Sequence, residues 1–292
     1  AGPRRETRPL TVVHIPLHIY LHIPFCARKC DYCAFASVTA PARVHTAYIE
    51  AMIREQTTFF DDCNRQNMSF VARSIYCGGG TPSCVAAPLL VKLLTQLRAA
   101  CRCPDGIEVT VECNPQSLTA AWIRALRDAG ANRWSLGVQS LQAHELAALG
   151  RLHTPADARA AFELLRAEGC RNISVDLMYG ILGQTAASWR RTLREITGIW
   201  QPEHVSLYAL SVEPGTPLAR RRRDRATAAR WPADDEVMDW YWYAERLLRA
   251  HDYTRYEIAN FARPGKASRH NGAYWDVRRE YVGFGAAAHS YC

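Results

Sequence analysis

The chain has 292 residues, of which 48% are hydrophobic and 22% charged, a composition that excludes a disordered chain and a membrane-embedded one. Its formal charge of +8 suits an anionic partner, since a basic surface raises the local concentration of phosphates, carboxylates or anionic membranes. Eleven cysteines, an odd number without a secretory apolar segment, are read in a reducing compartment, where clustered thiols usually mean metal or catalysis.

In chain order, "AGPRRETRPL" carries Arg4, Arg5 and Arg8 but no amphipathic apolar face, so residues 1–16 are expected to be a flexible leader, with a remnant mitochondrial presequence as the alternative. "LTVVHIPLHIYLHIPF" is interrupted by His14, His18, His22 and two prolines and is too polar to span a membrane. Short apolar or β-branched runs then predict strands over Leu17–Ile23, Arg73–Cys77, Ile107–Glu112, Arg133–Gly137, Asn172–Asp176 and His204–Ala209. Helical periodicity fills the gaps, as in "APLLVKLLTQLRAA" and "PADARAAFELLRAEG", and Gly130 and Gly169 stand where helix C-caps belong. About six strand–helix units in a row predict a parallel sheet wound into a partial (β/α)6 barrel over 17–250, with chemistry at the C-terminal strand ends. "ARRRRDR" at 219–225 reads as a solvated loop, with a docking patch as the alternative. Residues 251–292, rich in aromatics, Gly, Asn and His, read as a small extension of short strands and loops.

Cys26, Cys30 and Cys33, spaced C-x-x-x-C-x-x-C after the first strand, would hold three corners of a 4Fe-4S cluster and leave one iron open. Structural zinc sites close with four ligands, and the next cysteine, Cys63, falls in a helix. A three-ligand zinc site and three inert buried thiols stay as alternatives. "CGGGTPS" at 77–83 exposes backbone to a ligand or is simply a tight turn. Glu112, Gln139, Arg151 and Asp176 stand at or just after strand ends, where they either face the cavity or cap a neighbouring element. The remaining cysteines show no ligand spacing except Cys101-x-Cys103, a second metal site being the alternative there.

With these motifs in place the chain resembles the radical S-adenosylmethionine (SAM) superfamily, in its branch of oxygen-independent coproporphyrinogen oxidases and the haem chaperones called HemW. The resemblance runs from about Leu17 to the end. It implies that Tyr20, Tyr32, Gly79, Gly80, Thr81, Glu112, Gln139, Arg151 and Asp176 bind SAM, with a 4Fe-4S cluster on Cys26, Cys30 and Cys33. Phe35 occupies the place where the oxidases carry a further cysteine, and only about sixteen residues precede the first strand, both of which favour the chaperones. "RHNGAYW" at 269–275 matches their H-N-x-x-Y-W motif and makes His270 the implied haem ligand, against a plain packed histidine. Ile181-Leu182 and Ala286-Ala287 depart from the family's Leu-Pro and Pro-Gly.

The resemblance thus implies haem binding and transfer, with oxidative decarboxylation of coproporphyrinogen III as the alternative. Expected partners are haem or a porphyrin, an apo-haemoprotein acceptor and an electron donor, with no nucleic acid; a homodimer and a peripheral membrane contact stay open. The family continues past the position of Cys292 into a helical and winged C-terminal domain, so that part is expected to be truncated here. Cytoplasm is the expected compartment, the mitochondrial matrix the alternative.

Overall fold

The computed structural model describes residues 13–292. In chain order the elements are β1 (Val13–Ile23), α1 (Ala42–Arg65), β2 (Met68–Gly79), α2 (Ala87–Ala100), β3 (Glu108–Cys113), α3 (Ala120–Asp128), β4 (Arg133–Gln139), α4 (Ala143–Ala148), α5 (Pro155–Ala167), β5 (Ile173–Tyr179), α6 (Ala186–Glu195), β6 (His204–Ala209), α7 (Pro217–Arg223), α8 (Asp234–Ala250), β7 (Thr254–Arg255), β8 (Asn260–Ala262), α9 (Arg269–Ala273) and β9 (Glu280–Phe284). The first six strands pair in parallel and in sequence order, each reached by a helical crossover. The sheet runs β7-β8-β6-β5-β4-β3-β2-β1-β9, an open, partial barrel.

Three sequence expectations change. β1 begins at Val13, so the boundary drawn for a leader at residue 16 falls inside a strand; the rest of the expected leader lies outside the described residues. The segment after 250 is woven into the sheet on both sides: β8 pairs antiparallel with β6, while β9 runs parallel to β1 at the other edge. The arginine run is a helix, α7, because Thr216 caps it by accepting from the Ala219 amide at 3.2 Å, Pro217 takes the first turn and Leu218 is buried.

Six strands share one pattern: "HIYLH" at 18–22, "SIYCG" at 74–78, "EVTVE" at 108–112, "RWSLG" at 133–137, "SVDLM" at 174–178 and "HVSLY" at 204–208. The apolar members, among them Ile19, Ile75, Val109, Trp134, Val175 and Val205, are buried under the helices. The polar members bond to one another across strands on the other face, as period-2 alternation requires. The hydrophobic core therefore lies between sheet and helices, while the barrel interior is polar. Near the C-terminus Ala287 holds a left-handed φ of 62°, which costs a non-glycine residue about 1 kcal/mol.

Candidate functional site

The loop after β1 carries Cys26, Cys30 and Cys33, all free and half-buried. Its shape is set by main-chain bonds: Cys26 N donates to Val38 O at 3.0 Å, Cys33 N to Cys30 O at 3.2 Å and Asp31 N to Leu149 O at 3.1 Å. His22 ties both ends together. Its Nε2–H donates to Ala36 O at 2.8 Å, leaving Nδ1 to accept from the Tyr20 hydroxyl at 3.2 Å. Burial pushes the Cys33 thiol up, and the neighbouring thiols Cys30 and Cys26 add to that; a metal or cluster would reverse it by drawing off the proton. Among the described residues no three His, Cys, Asp or Glu side chains meet at the spacing of a single-ion site, but cluster ligands bind separate irons and need not converge on one point.

The turn after β2 lies against this loop. At Gly79 φ is 114° and an added Cβ would sit 2.6 Å from the His22 ring; at Gly80 it would sit 2.8 Å from the backbone of Pro24 and Phe25. These glycines let two strand ends touch, so that Gly80 N donates to Ile23 O at 2.8 Å and the buried Thr81 brings Oγ1 to 3.5 Å from Cys26 Sγ.

Around the mouth, Glu112 on β3 accepts from the Tyr76 hydroxyl at 2.9 Å and the Gly79 amide at 3.0 Å. Burial pushes its carboxyl up to about 7, more than those hydrogen bonds hold it down. Asp176 on β5 is also raised by burial, while Ser135 donates to it at 3.0 Å. Gln139 sits at a shift of register between β4 and β5 with φ of 64°. Arg151 spans the site: Nη2 donates to Gly137 O at 2.8 Å, Nε to His153 Nδ1 at 3.3 Å, and Nη1 lies 3.6 Å from Cys30 Sγ. Tyr32 packs with Leu149, Met178 and Ile181, and burial raises its phenol. One rim thus holds three thiols, a guanidinium and two carboxyls.

His270 lies elsewhere, on α9, which enters the barrel from the strand starts. Glu108 pins α9 there, accepting from Ser268 Oγ at 3.1 Å and from the amides of Arg269 and His270 at 2.9 and 3.1 Å. The His270 ring is 1% exposed, with Nδ1 2.8 Å from Ser74 Oγ and Nε2 2.9 Å from the Tyr274 hydroxyl. Burial, helped by the adjacent His18, lowers its pKa to about 3, so the imidazole is neutral at ordinary pH. Both ring nitrogens are occupied.

Sequence reasoning missed the connecting residue, Tyr76. It stacks on His270 with ring centroids 5.0 Å apart and donates to Glu112, joining the interior to the mouth. It also missed the buried Arg133, whose Nε and Nη2 have no partner among the described residues. The signal for both was the polar alternation in "SIYCG" and "RWSLG".

Residues 20–196 match the family model described as the Radical SAM superfamily. The chain is similar to proteins named Heme chaperone HemW: 38% identical over 276 residues to that of Lactococcus lactis and 34% over 275 to that of Escherichia coli, covering 94% of this chain and 70% of each relative. It is 33% identical over 282 residues to a Danio rerio protein named Radical S-adenosyl methionine domain-containing protein 1, mitochondrial, of which it spans 61%. Among solved structures, one titled "Coproporphyrinogen III oxidase (HemN) from Escherichia coli is a Radical SAM enzyme" superposes with a TM-score of 0.81 at 22% identity, covering 95% of this chain and 65% of that one. That likeness is one of fold.

Proposed function

Because this chain belongs to the radical SAM superfamily and, within it, to the HemW family, we propose that it binds haem and passes it to an apo-haemoprotein, with a 4Fe-4S cluster and SAM as resident cofactors. The observation that carries this reading is identity of 34–38% across 94% of the chain to relatives named heme chaperones. Phe35, two places after the third cysteine, supports it against an oxidase.

The donor set fits the cofactors. Three free thiols on one loop would hold the cluster, and the guanidinium of Arg151 beside Cys30 would offset its negative charge. When bound, the cluster supplies a one-electron couple and an iron with a free place for the SAM amino and carboxylate groups. The strand-end polar groups would hold the rest of SAM. Glu112 and Asp176 accept from its hydroxyls or ammonium; Gln139 and Thr81 add neutral contacts; Tyr20, Tyr32, Gly79 and Gly80 wall the site. A Glu112 carboxyl near pH 7 can accept as the anion or donate as the acid.

His270 would supply the haem ligand. Its low pKa keeps the lone pair free of a proton, but Nε2 is reached only when the Tyr274 hydroxyl turns away, and Tyr274 is 47% exposed. Among the described residues no helix is long and apolar enough to cross a membrane. We place the chain in the cytoplasm, with the mitochondrial matrix as the alternative suggested by the name of the Danio rerio relative.

The test is anaerobic reconstitution with iron and sulfide, then separate incubation with haem and with coproporphyrinogen III, SAM and a reductant. The expected result is a 4Fe-4S chromophore lost in Cys30→Ala, and a Soret shift on haem addition that weakens in His270→Ala and strengthens in Tyr274→Phe. Decarboxylation of coproporphyrinogen III would overturn the chaperone reading in favour of the oxidase.

A further inference from the structure

One strongly charged element has no part in the site described so far. Residues 217–231 contain six arginines, Arg220, Arg221, Arg222, Arg223, Arg225 and Arg230, against the single acid Asp224. The first four lie on α7, which is fastened to the three-cysteine loop. Leu218 N donates to Asp31 O at 2.9 Å, and Arg221 donates both to the Asp31 carboxylate and to Ala148 O, the latter at 2.9 Å. Asp31 stands between Cys30 and Cys33, so helix and loop share one anchor.

With Arg221 engaged, Arg220, Arg222, Arg223 and Arg225 remain exposed. The outer side of the loop continues the charge with Arg28 and Lys29, both exposed, and Lys29 Nζ donates to Phe35 O at 3.0 Å. Phe35 itself is 67% exposed. The loop's acid, Asp31, already pairs with Arg221 and lies 3.9 Å from Arg28. The outer surface over the cysteines is therefore an aromatic ring bordered by cations.

We propose that α7 and the outer side of residues 28–35 form the docking surface for an acidic one-electron carrier protein, with reduced flavin or an iron–sulfur group as its redox centre. The inference rests on the 4Fe-4S reading, because a cluster on this loop takes its electron from outside the protein. Redox encounters of this kind use small interfaces and rely on opposite charge for orientation and speed. A cationic face around an exposed aromatic, carried by the loop that holds the thiols, matches that need. An anionic membrane is the other partner such charge attracts, but a membrane-surface helix needs an exposed apolar face, and the one large apolar side chain of α7, Leu218, is buried. In the docked pair one electron leaves the carrier and reduces the cluster; no bond is made or broken.

The experiment uses the full chain with its cluster reconstituted, and flavodoxin as the probe. Binding is followed by flavin fluorescence, and transfer by bleaching of the cluster absorbance with flavodoxin hydroquinone or, separately, with dithionite. The double variant Arg220→Glu/Arg223→Glu alters only exposed side chains. Its flavodoxin affinity and bleaching rate are expected to fall about tenfold at low salt, with the wild type weakening as salt rises and dithionite bleaching unchanged. Equal affinity in variant and wild type would overturn the proposal. So would loss, in the variant, of binding to phosphatidylcholine vesicles carrying phosphatidylglycerol while flavodoxin binding persists. If no dithionite-reducible chromophore assembles, the cluster reading fails, and the fluorescence titration still decides the docking surface.

Discussion

At the C-terminal mouth of the barrel Glu112 and Asp176 stand half-buried, with carboxyls that burial pushes upward, beside three free thiols. At the opposite end His18, Arg133, His204 and His270 come from the same inward rows of the same sheet, or pack against them, and none is more than 5% exposed. The difference lies in what closes each end. Loops after the strands bound the mouth, whereas α9 and the strand starts close the other end with side chains that mostly pair with one another: His18 with Ser74, Ser74 with His270, and Ser174 with His204 at 2.7–2.8 Å, Arg133 alone among the four keeping Nε and Nη2 without a partner among the described residues. A polar interior is thus no sign of a ligand by itself.

The largest way to break this contrast is to release α9. Among the described residues Glu108 is the one side chain that accepts from the start of that helix in three places, and Glu108→Ala leaves buried donors without an acceptor. The expected cost is about 3–5 kcal/mol in urea denaturation, with the mouth intact and able to take up iron and sulfide. Loss of cluster assembly together with stability would show that the two ends do not fold independently.

This contrast also explains what was legible in the sequence. All six barrel strands and the three-cysteine loop could be read from apolar runs and spacing, because each depends on residues close together in the chain. The strand-end residues Glu112, Gln139 and Asp176 were legible through the barrel rule. His270 was found by motif, but its surroundings were not, since Ser74 and Glu108 lie 196 and 162 residues away in sequence. The arginine helix was misread because charge density suggested a solvated loop, while the capping Thr216 and the single buried Leu218 decided otherwise.

A smaller effect, of opposite sign for the buried histidines and the buried carboxyls, is expected on acidification. Burial lowers His18 to about 4 and His270 to about 3, and lowers His204 well below 6.5; His153, near the mouth, is lowered to about 4. The unfolded chain protonates these groups below pH 6.5 and the folded chain does not, so their contribution is whole above 6.5 and is lost as the pH falls. Glu112, raised to about 7, works the other way: its contribution is present below 4.5 and lost as the pH rises through 7. Asp176 acts in the same sense. Four histidines against two carboxyls leave a net loss of about 1–3 kcal/mol per pH unit between pH 6 and 4.5. Denaturant midpoints across that range measure it; a flat profile would mean that the histidines are not held neutral.

The smallest change bears on whether the ends communicate. Tyr76→Phe keeps the ring stacked on His270 but removes the hydroxyl that Glu112 accepts, at a cost of about 1 kcal/mol. Losing a donor to its ionised form moves the Glu112 carboxyl further up. SAM affinity at the mouth is then expected to fall several-fold at neutral pH and to recover as the pH rises, while haem affinity stays within about twofold because the stacking on His270 is unchanged. Isothermal titration with each ligand separates the two. A matching fall in haem affinity would instead make Tyr76 a relay, since a hydroxyl that touches only Glu112 can affect His270 only if the carboxyl's position fixes that of the ring between them.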